Sequence, residues 1–453
     1  MRSASLPAVA VTVLLGCGAD ELPATGQVLL YLDTDAPLPP PSGQAVDPDQ
    51  PAALFDTARV DILAPDGDCP QCSHEFSVDR QRMGVGASLG VLTPTDAAGY
   101  VARVRLFRVA VLEQGEPRPD STIERTVALP EAVDGRIEEI IVFLPTDSVA
   151  HPFGTQQEPV DPEPGPPTTQ RAGTWPGAQP ASCTGVPRED EVCIPGGAYW
   201  MGNPRQVSSE PDARADEQRL VVISPFFLDR TEVTVGQFRT SGLAKAGDPR
   251  QASGTSGDSL NDWCTYTVTA EDREGEPLNC VSWTNARAYC LSLGKDLPKE
   301  AQFEYAASGL RGSDFVWGGE IPACGDAVFG RAGIGALANA ISPCNPSKEM
   351  LGPLPAGSGA RDVLAVPTGT VFDLAGNLSE FALDQWNRQD EACWGDGVFH
   401  DPVCETPGEL AGRSLRSGNW AYPDADLLAA SRYLLTEDEV SSFVGFRCAR
   451  SGR

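Results

Sequence analysis

Histidine and positive charge are scarce in this chain, and each shortage argues against a class of function. The 453 residues contain only His74, His151 and His400, too few for a three-histidine metal centre within one domain. Lysine and arginine number 34 against 63 aspartates and glutamates, which gives a formal net charge of −29. Because a field of this sign repels phosphate backbones, nucleic acid is not expected as a partner.

Apolar runs long enough to cross a bilayer are also missing. The run from Leu6 to Leu15 is too short for a transmembrane helix, and its place near the amino terminus predicts an export signal. Residues 14–17 read Leu-Leu-Gly-Cys, which resembles the bacterial lipobox. We therefore interpret residues 1–17 as a lipoprotein signal peptide with lipidation at Cys17. The alternative is a plain signal peptide whose cysteine is incidental.

A lipoprotein signal peptide predicts a protein of the bacterial cell envelope that binds the membrane through a lipid anchor at Cys17. Gly18 carries no obvious inner-membrane retention signal, which favours the outer membrane. In an oxidising compartment the twelve cysteines after Cys17 are expected to form disulfides. One of many possible arrangements joins cysteines that are neighbours in sequence. It gives the disulfides 69/72, 183/193, 264/280, 324/344 and 393/404, and it leaves Cys290 and Cys448 as long-range partners.

Length and composition indicate a modular globular protein. A chain of 453 residues corresponds to two or three domains at about 150 residues each. In residues 18–148, short β-favouring runs alternate with Pro, Gly and Asp, which predicts a β-sandwich. Residues 151–182 hold eight prolines but no Leu, Ile or Met, so residues 149–182 are predicted to be an extended linker. Residues 183–453 form the second module.

The second module combines short strands with helix signals. Thr234 and Gln237 have the spacing of a capping box, and Thr284 precedes an apolar segment that ends at Gly294. Pro298 is placed to begin a third helix. After residue 310 the chain is rich in Gly, Pro and Asn, so its loops are expected to need support from a metal ion or from disulfides.

Seven sequence blocks of this module carry a resemblance to a known family. They are CIPGGAYWMGNP (193–204), ISPFFLDRTEVTVGQFR (223–239), CVSWTNARAYCLSLGKDLPKEAQFEYAASG (280–309), FVWGGE (315–320), VFDLAGNLSEFALDQW (371–386), RSGNW (416–420) and VGFRCAR (444–450). In their residues and their order, about residues 190–451 resemble the formylglycine-generating enzyme, or sulfatase-modifying factor, family. The resemblance implies an α+β module with that family's variant of the C-type lectin fold and little regular secondary structure. It also implies a disulfide between Cys290 and Cys448.

The resemblance implies a copper site that this sequence does not complete. The family's enzymes oxidise a substrate cysteine to formylglycine with copper(I) held by two cysteines just after the tryptophan of their RGGSW block. Here that tryptophan is Trp420, the serine of the block is Asn419, and residues 420–432 contain no cysteine. Since copper(I) prefers soft thiolates, no copper is expected. A branch that uses iron held by histidines is disfavoured as well, because the module has only His400.

A calcium loop is the metal site that the resemblance still implies. Asp373 and Glu380 would supply side-chain oxygens, and Gly376 and Leu378 would supply backbone carbonyls. Such a set of hard oxygens suits a structural calcium ion. The alternative is that the two carboxylates cap or salt-bridge the loop without a metal ion.

The segment after Trp420 is also the predicted ligand cleft. Tyr422 takes the place of a catalytic cysteine, and Tyr422 and Trp394 are predicted to be exposed aromatics that line the groove. We expect an exported lipoprotein whose module binds a peptide, glycan or metabolite, or acts as a scaffold, without copper. The alternative is an enzyme acting on an exported peptide or metabolite, with Asp424 and Asp426 as acid or base. The predicted cleft residues are Asn419, Trp420, Tyr422, Asp424, Asp426 and Arg432.

Overall fold

A computed structural model of the protein describes most of its residues. They are residues 27–65, 67–83, 88–91, 99–131, 133, 135–204, 217–251, 263–270, 272–332, 344, 352–388 and 391–453, without the side chains of 67–72. The predicted signal peptide with Cys17, and the predicted Cys69–Cys72 pair, lie outside this description. Within it, no helix combines the length and the apolar character needed to span a bilayer.

The described residues form ten strands before residue 165, then three α-helices and twelve further strands. The first ten are β1 (Gln27–Thr34), β2 (Thr57–Ala64), β3 (Gly67–Ser77), β4 (Ser88–Val91), β5 (Val101–Phe107), β6 (Leu112–Glu113), β7 (Glu116–Pro117), β8 (Ile123–Ala128), β9 (Ile137–Leu144) and β10 (Glu163–Pro164). The others are β11 (Glu191–Ile194), β12 (Gly197–Met201), β13 (Arg219–Ile223), β14 (Phe226–Asp229), α1 (Val235–Ser241), α2 (Trp283–Ser292), α3 (Glu300–Ala307), β15 (Val363–Val366), β16 (Gly369–Phe372), β17 (Ser379–Gln385), β18 (Val398–His400), β19 (Arg413–Arg416), β20 (Arg432–Leu435), β21 (Val444–Gly445) and β22 (Ala449–Ser451).

The amino-terminal strands form the expected sandwich. One sheet has the order β10-β9-β1-β4 and the other β3-β2-β5-β8. Alternate residues of β1, such as Val28 and Leu30, are completely buried and belong to the same apolar cluster as Val104 and Leu106 of β5. This is the pattern of two sheets that each turn one face to a common core.

The predicted linker differs from expectation, because it packs against the sandwich rather than lying free. Its β10 pairs with β9, and Val160 bridges to Val127. Trp175 is 2% exposed, belongs to the sandwich core, and donates a hydrogen bond from Nε1 to Asp147 Oδ1 at 2.8 Å. The prolines keep the segment extended, but its tryptophan and valines supply apolar surface that a count of Leu, Ile and Met misses.

The second module is α+β, as expected. Its strands form the sheets β11-β14-β22, β12-β13-β18, β15-β16 and β20-β19-β17-β21. The capping box at α1 is confirmed, since Thr234 Oγ1 accepts from the Gln237 amide and Gln237 Oε1 accepts from the Thr234 amide. α2 begins earlier than predicted, because Ser282 rather than Thr284 caps it.

Five disulfides hold the loops of this module together. They are Cys183–Cys193, Cys264–Cys280, Cys290–Cys448, Cys324–Cys344 and Cys393–Cys404. These are the pairs that adjacency in sequence and the family resemblance predicted. The Cys290–Cys448 bond joins α2 to the segment just before β22, across 158 residues of chain.

The sandwich and the second module share one apolar core. Trp200 of β12 is 4% exposed and belongs to the same cluster as the sandwich residues. Its ring contacts Phe55 edge-on at 5.7 Å, and its Nε1 donates to the Leu54 carbonyl at 2.6 Å. An ion pair between Arg219 and Asp120, 3.2 Å long, lies at the same junction. The two modules therefore pack as one body at this point.

Candidate functional site

The predicted cleft segment connects two neighbouring strands. β19 and β20 are antiparallel, with Arg416 opposite Arg432. Between them the chain passes through Trp420, makes a single turn of 3-10 helix at Asp424–Leu427 and returns as β20. Every predicted cleft residue except Arg432 therefore lies in one irregular connection at the end of a sheet.

Asn419 and Trp420 form the base of this connection and are not accessible to a ligand. Asn419 is 2% exposed; its Oδ1 accepts from the amides of Ala421 and Tyr422, and its Nδ2 donates to Ser379 Oγ. Trp420 is fully buried, and its Nε1 donates to the Ser442 carbonyl at 3.0 Å. Asn419, which the resemblance aligns with a serine of the family's enzymes, thus shapes the turn.

Aromatic rings pack together around Tyr422, the residue that the resemblance aligns with a catalytic cysteine of the family's enzymes. The half-buried Tyr422 lies 5.3 Å from Phe443 and 6.5 Å from Tyr433, measured between ring centres. Trp420 lies 5.4 Å from Phe443 on one side and 6.3 Å from Trp263 on the other. The rings of Trp420, Tyr422, Tyr433 and Phe443 together form an aromatic floor.

Two carboxylates border the aromatic floor. Asp424 is exposed, whereas Asp426 is half-buried and accepts a hydrogen bond from the Tyr433 hydroxyl. Burial raises the pKa of Asp426, and the hydrogen bond from Tyr433 opposes that rise. Burial and the charge of Asp426 raise the pKa of Tyr433 in turn. Of the two predicted acids, Asp426 is the one whose environment favours holding a proton.

Arg432 does not belong to the cleft, which corrects the sequence-based assignment. It is 1% exposed, and its Nη2 donates to Glu300 Oε2 and to the Asn387 carbonyl, both at 2.9 Å. Successive residues of a strand point to opposite faces, so Tyr433 faces the aromatic floor while Arg432 faces Glu300. Trp394, expected to be exposed, is only 4% exposed.

Sequence reasoning missed the buried ion cluster that Arg432 joins. Arg416 donates to Glu300 Oε1 at 3.0 Å and to Glu304 Oε2 at 2.6 Å, and all three side chains are at most 2% exposed. Burial acts to raise the pKa of Glu300, but Arg432 and Arg416 hold it below its ordinary value. The i, i+4 spacing of the two glutamates on the buried face of α3 was the available signal.

In the predicted calcium loop, an arginine lies against one of the two carboxylates. Arg447 donates to both oxygens of Glu380, at 2.7 and 2.8 Å, and to the Asp373 carbonyl at 2.9 Å. Asp362 fixes the loop by accepting hydrogen bonds from the amides of residues 374–376. The salt bridge with Arg447 therefore neutralises at least part of the charge of Glu380. The sequence-based alternative, in which the two carboxylates cap or salt-bridge the loop without a metal ion, included such a contact.

The same region nevertheless carries surplus negative charge. Asp373 Oδ1 and Glu232 Oε2 are buried and have no hydrogen-bond partner among the described residues. Burial, and then repulsion from Asp373, raise the pKa of Glu232, with Glu380 adding to the rise and Arg447 opposing it. Three buried carboxylates thus surround one guanidinium, and a cation beside Asp373 fits this charge balance.

Such a cation would depend on backbone oxygens. Among the described residues no group of three or more His, Cys, Asp or Glu side chains is arranged to hold a metal ion. The carbonyls of Gly376 and Leu378 would therefore have to join the Asp373 and Glu380 carboxylates, as the resemblance implies.

Comparison with known proteins assigns the second module. The family model described as the sulfatase-modifying factor enzyme 1-like domain matches residues 178–452, more than half of the chain. The chain belongs to this family. Its sulfatase-modifying factor domain contains the aromatic floor, the loop from Asp373 to Glu380 and all five described disulfides. The match begins at residue 178, inside the segment predicted to be a linker.

Relatives of this family member include enzymes and a protein that is inactive by its name. The formylglycine-generating enzyme of Streptomyces coelicolor is 32% identical over 182 residues, covering 39% of this chain and 53% of that enzyme. This chain thus spans about half the length of the Streptomyces enzyme. The formylglycine-generating enzyme of Thermomonospora curvata is 27% identical over 298 residues, which cover 57% of this chain and 92% of that enzyme. The inactive Cα-formylglycine-generating enzyme 2 of Bos taurus is 26% identical over 307 residues, covering 57% and 87%.

Among solved structures, PvdO from Pseudomonas aeruginosa is 22% identical, covers 58% of this chain and 96% of its own, and has a TM-score of 0.41. Because the relatives include both enzymes and a protein named inactive, the activity of this family member has to be argued from its own residues.

Proposed function

We propose that this protein is a lipid-anchored protein of the bacterial cell envelope whose sulfatase-modifying factor domain binds a ligand without copper oxidation. The ligand is a peptide, a glycan or a small metabolite. The observation that carries the proposal is the replacement of the family's thiol pair by the aromatic floor of Trp420, Tyr422, Tyr433 and Phe443.

The cysteine inventory supports a function without copper. Copper(I) needs soft ligands such as thiolates. The ten cysteines whose side chains are described are all oxidised to disulfides, including Cys290 and Cys448 of the core beneath Trp420. A disulfide sulfur is not a thiolate and is a poor ligand for the metal. The described part of the domain therefore offers no thiolate pair at the position that copper would take.

The ligand face consists of the half-buried rings of Tyr422 and Tyr433 with the carboxylate of Asp426 at its border. Tyrosine presents an apolar ring and a polar tip, which suits a surface that is partly covered in the free protein. We propose that a ligand lies on the Tyr422 ring and donates a hydrogen bond to Asp426. Asn419 and Trp420 support this face from below.

A binding screen tests this assignment. The full chain is applied to peptide and glycan arrays together with the variants Tyr422→Ala and Tyr31→Ala, the latter on the distant sandwich. We expect ligands retained by the wild-type protein and by Tyr31→Ala to bind at least tenfold more weakly to Tyr422→Ala. A screen without any ligand, or ligands that bind Tyr422→Ala as tightly as wild type, would contradict the proposal.

The second candidate is an enzyme acting on an exported peptide or metabolite through the same face. The raised pKa of Asp426 and its hydrogen bond to Tyr433 favour this alternative, because a carboxylic acid that keeps its proton can protonate a leaving group. Turnover of a bound ligand that disappears in Asp426→Asn, while binding persists, would establish it in place of simple binding.

Two further parts of the proposal concern the anchor and a metal ion. Lipidation of Cys17 would place the protein in the outer membrane. The variant Cys17→Ser should then move the protein into the soluble fraction, and retention in the membrane would contradict the anchor.

We also propose that the loop from Asp373 to Glu380 holds a structural calcium ion, which would offset the surplus charge of the buried carboxylates around Arg447.

A further inference from the structure

A groove of about 520 Å³ lies where the sandwich meets the sulfatase-modifying factor domain. Residues 48–52 of the sandwich form one wall, and residues 364–368, in and after β15, form another. The floor consists of the start of β12 and the end of α3, next to the Cys183–Cys193 disulfide. Ligand sites have volumes of about 300–1,000 Å³ and occur preferentially at domain interfaces, so both size and place suit a small molecule.

The floor of the groove carries a hydroxyl group that the protein leaves without a partner. Tyr305 is 3% exposed, and its hydroxyl makes no hydrogen bond with any described residue. The oxygen lies above Gly197, where an added Cβ would come within 2.5 Å of it. Gly197 also lines the groove. This oxygen is not among the described side-chain atoms that are buried without a partner, so it keeps some access to solvent through the groove that Tyr305 lines. A ligand in the groove can therefore accept a hydrogen bond from it.

A cation without a bonded acid lies at the same wall. The Arg311 guanidinium donates to the carbonyls of Asp47, Pro48 and Gln50 at 3.2–3.3 Å, and forms no salt bridge with a described carboxylate. Burial and the nearby Arg80 lower the pKa of Arg311, and the charge of Asp47 opposes that shift without a salt bridge. Arg311 also interacts electrostatically with Tyr305: burial raises the pKa of the Tyr305 hydroxyl, and the charge of Arg311 opposes that rise.

The remaining surface of the groove is mainly apolar. It is lined by side chains such as Pro51, Ala198, Leu364 and Pro367. Asp49 also lines it, but its side chain is exposed and its charge is screened by solvent. The groove therefore combines an apolar body with two hydrogen-bond donors, one of them positively charged.

We infer that this groove binds a small apolar carboxylic acid, whose carboxylate accepts hydrogen bonds from Tyr305 and Arg311 and whose apolar part lies between the two modules. The site is separate from the Tyr422 face, and it does not depend on calcium or on the proposed function. Because residues of both modules line it, an occupied groove would also stabilise their junction.

The test uses the full chain and two probes, the fluorescent apolar anion anilinonaphthalene sulfonate and dodecanoate. We expect the fluorescent probe to bind with one-to-one stoichiometry and to be displaced by dodecanoate, whereas the neutral analogue dodecanol should displace it at least tenfold less effectively. Failure of dodecanoate to displace the probe would overturn the inference, and equal displacement by dodecanol would overturn its anionic part.

Variants locate the binding. Arg311→Gln should weaken dodecanoate binding at least tenfold, whereas Arg136→Gln, at an exposed site of the sandwich, should stay within twofold of wild type. Ala365→Trp fills the groove from an exposed position on its wall and should abolish binding, while Ala425→Trp, exposed elsewhere, should not. Circular dichroism checks that each variant is folded. Unchanged dodecanoate binding in folded Arg311→Gln or Ala365→Trp would show that the site is elsewhere.

Discussion

At the scale of single residues, charges buried in the sulfatase-modifying factor domain determine where its sites can be. Arg432 was assigned to a ligand cleft from its place in the sequence, but a strand alternates its faces, and Arg432 faces Glu300 instead. Glu232, which sequence reasoning did not select, adds a third carboxylate to the loop of Asp373 and Glu380. Partners that are distant in sequence decide these roles, so one linear motif cannot reveal them.

Calcium at the Asp373 loop has a direct thermal test. A cation bound only by the folded protein raises its stability by mass action. We therefore expect a chelator to lower the melting temperature of the wild-type protein and added calcium to restore it. Asp373→Asn should abolish the response to calcium, whereas Asp424→Asn, at an exposed position, should retain it. A melting temperature that changes neither with the chelator nor with added calcium would contradict the proposed calcium site.

A second residue-scale prediction concerns pH. Asp384 accepts hydrogen bonds from the amides of Glu300 and Cys404, and burial together with repulsion from Glu300 raises its pKa to about 7. The folded state therefore binds this proton more tightly than the unfolded state does. The resulting stabilisation is complete below the unfolded pKa of about 4, and it is lost as the pH rises through about 7.

Urea unfolding at a series of pH values measures this effect. Between about pH 4 and about pH 7, the free energy of unfolding should fall with pH more steeply in the wild-type protein than in Asp384→Asn. Asp396→Asn, which changes an exposed carboxylate, should keep the wild-type slope. Identical slopes for wild type and Asp384→Asn would show that the buried carboxyl does not titrate in this range.

At the scale of secondary-structure elements, the sequence predicted correctly those features whose interacting residues all lie close together in the chain. The capping box of Thr234 and Gln237 located α1, and spacing in sequence found the short-range disulfides. The start of α2 was misplaced, because Ser282 and Thr284 are both acceptable caps and only the tertiary structure selects between them. The linker was misjudged because Trp175 packs into a core assembled by strands far away in sequence.

Disulfides should contribute according to the length of chain that they close. In the chain-entropy model, loss of Cys290–Cys448, which spans 158 residues, costs about 5 kcal/mol, and loss of Cys393–Cys404, which spans 11, costs about 3 kcal/mol. Urea unfolding of the two double-alanine variants should show this order. A variant without Cys393–Cys404 that is the less stable of the two would mean that local strain or packing outweighs chain entropy.

At the scale of the whole molecule, the sandwich and the sulfatase-modifying factor domain are joined by a core that neither module's sequence reveals alone. The fold class and the order of modules were predictable, because alternation and the family blocks are local patterns. The junction was not, because it depends on Trp200 of β12 packing against Phe55 of the sandwich. The same reasoning applies to the groove beside Tyr305, whose walls come from both modules.

Trp200→Ala tests this junction. Removing a buried tryptophan is expected to lower the free energy of unfolding by about 3–5 kcal/mol, and to separate one cooperative transition into two as the modules uncouple. Val186→Ala, at a residue that is 84% exposed, should change stability by less than about 0.5 kcal/mol. Retention of a single transition at wild-type stability would mean that the contact does not couple the modules.

The most direct test of the whole account is aldehyde formation. The full chain is incubated with copper(I), oxygen and a cysteine-containing sulfatase peptide, and the peptide is then analysed by mass spectrometry for conversion of its cysteine to formylglycine; an active formylglycine-generating enzyme serves as the positive control. Because residues 420–432 contain no cysteine, we predict no conversion above the protein-free background. Conversion that requires the protein and copper would contradict the account.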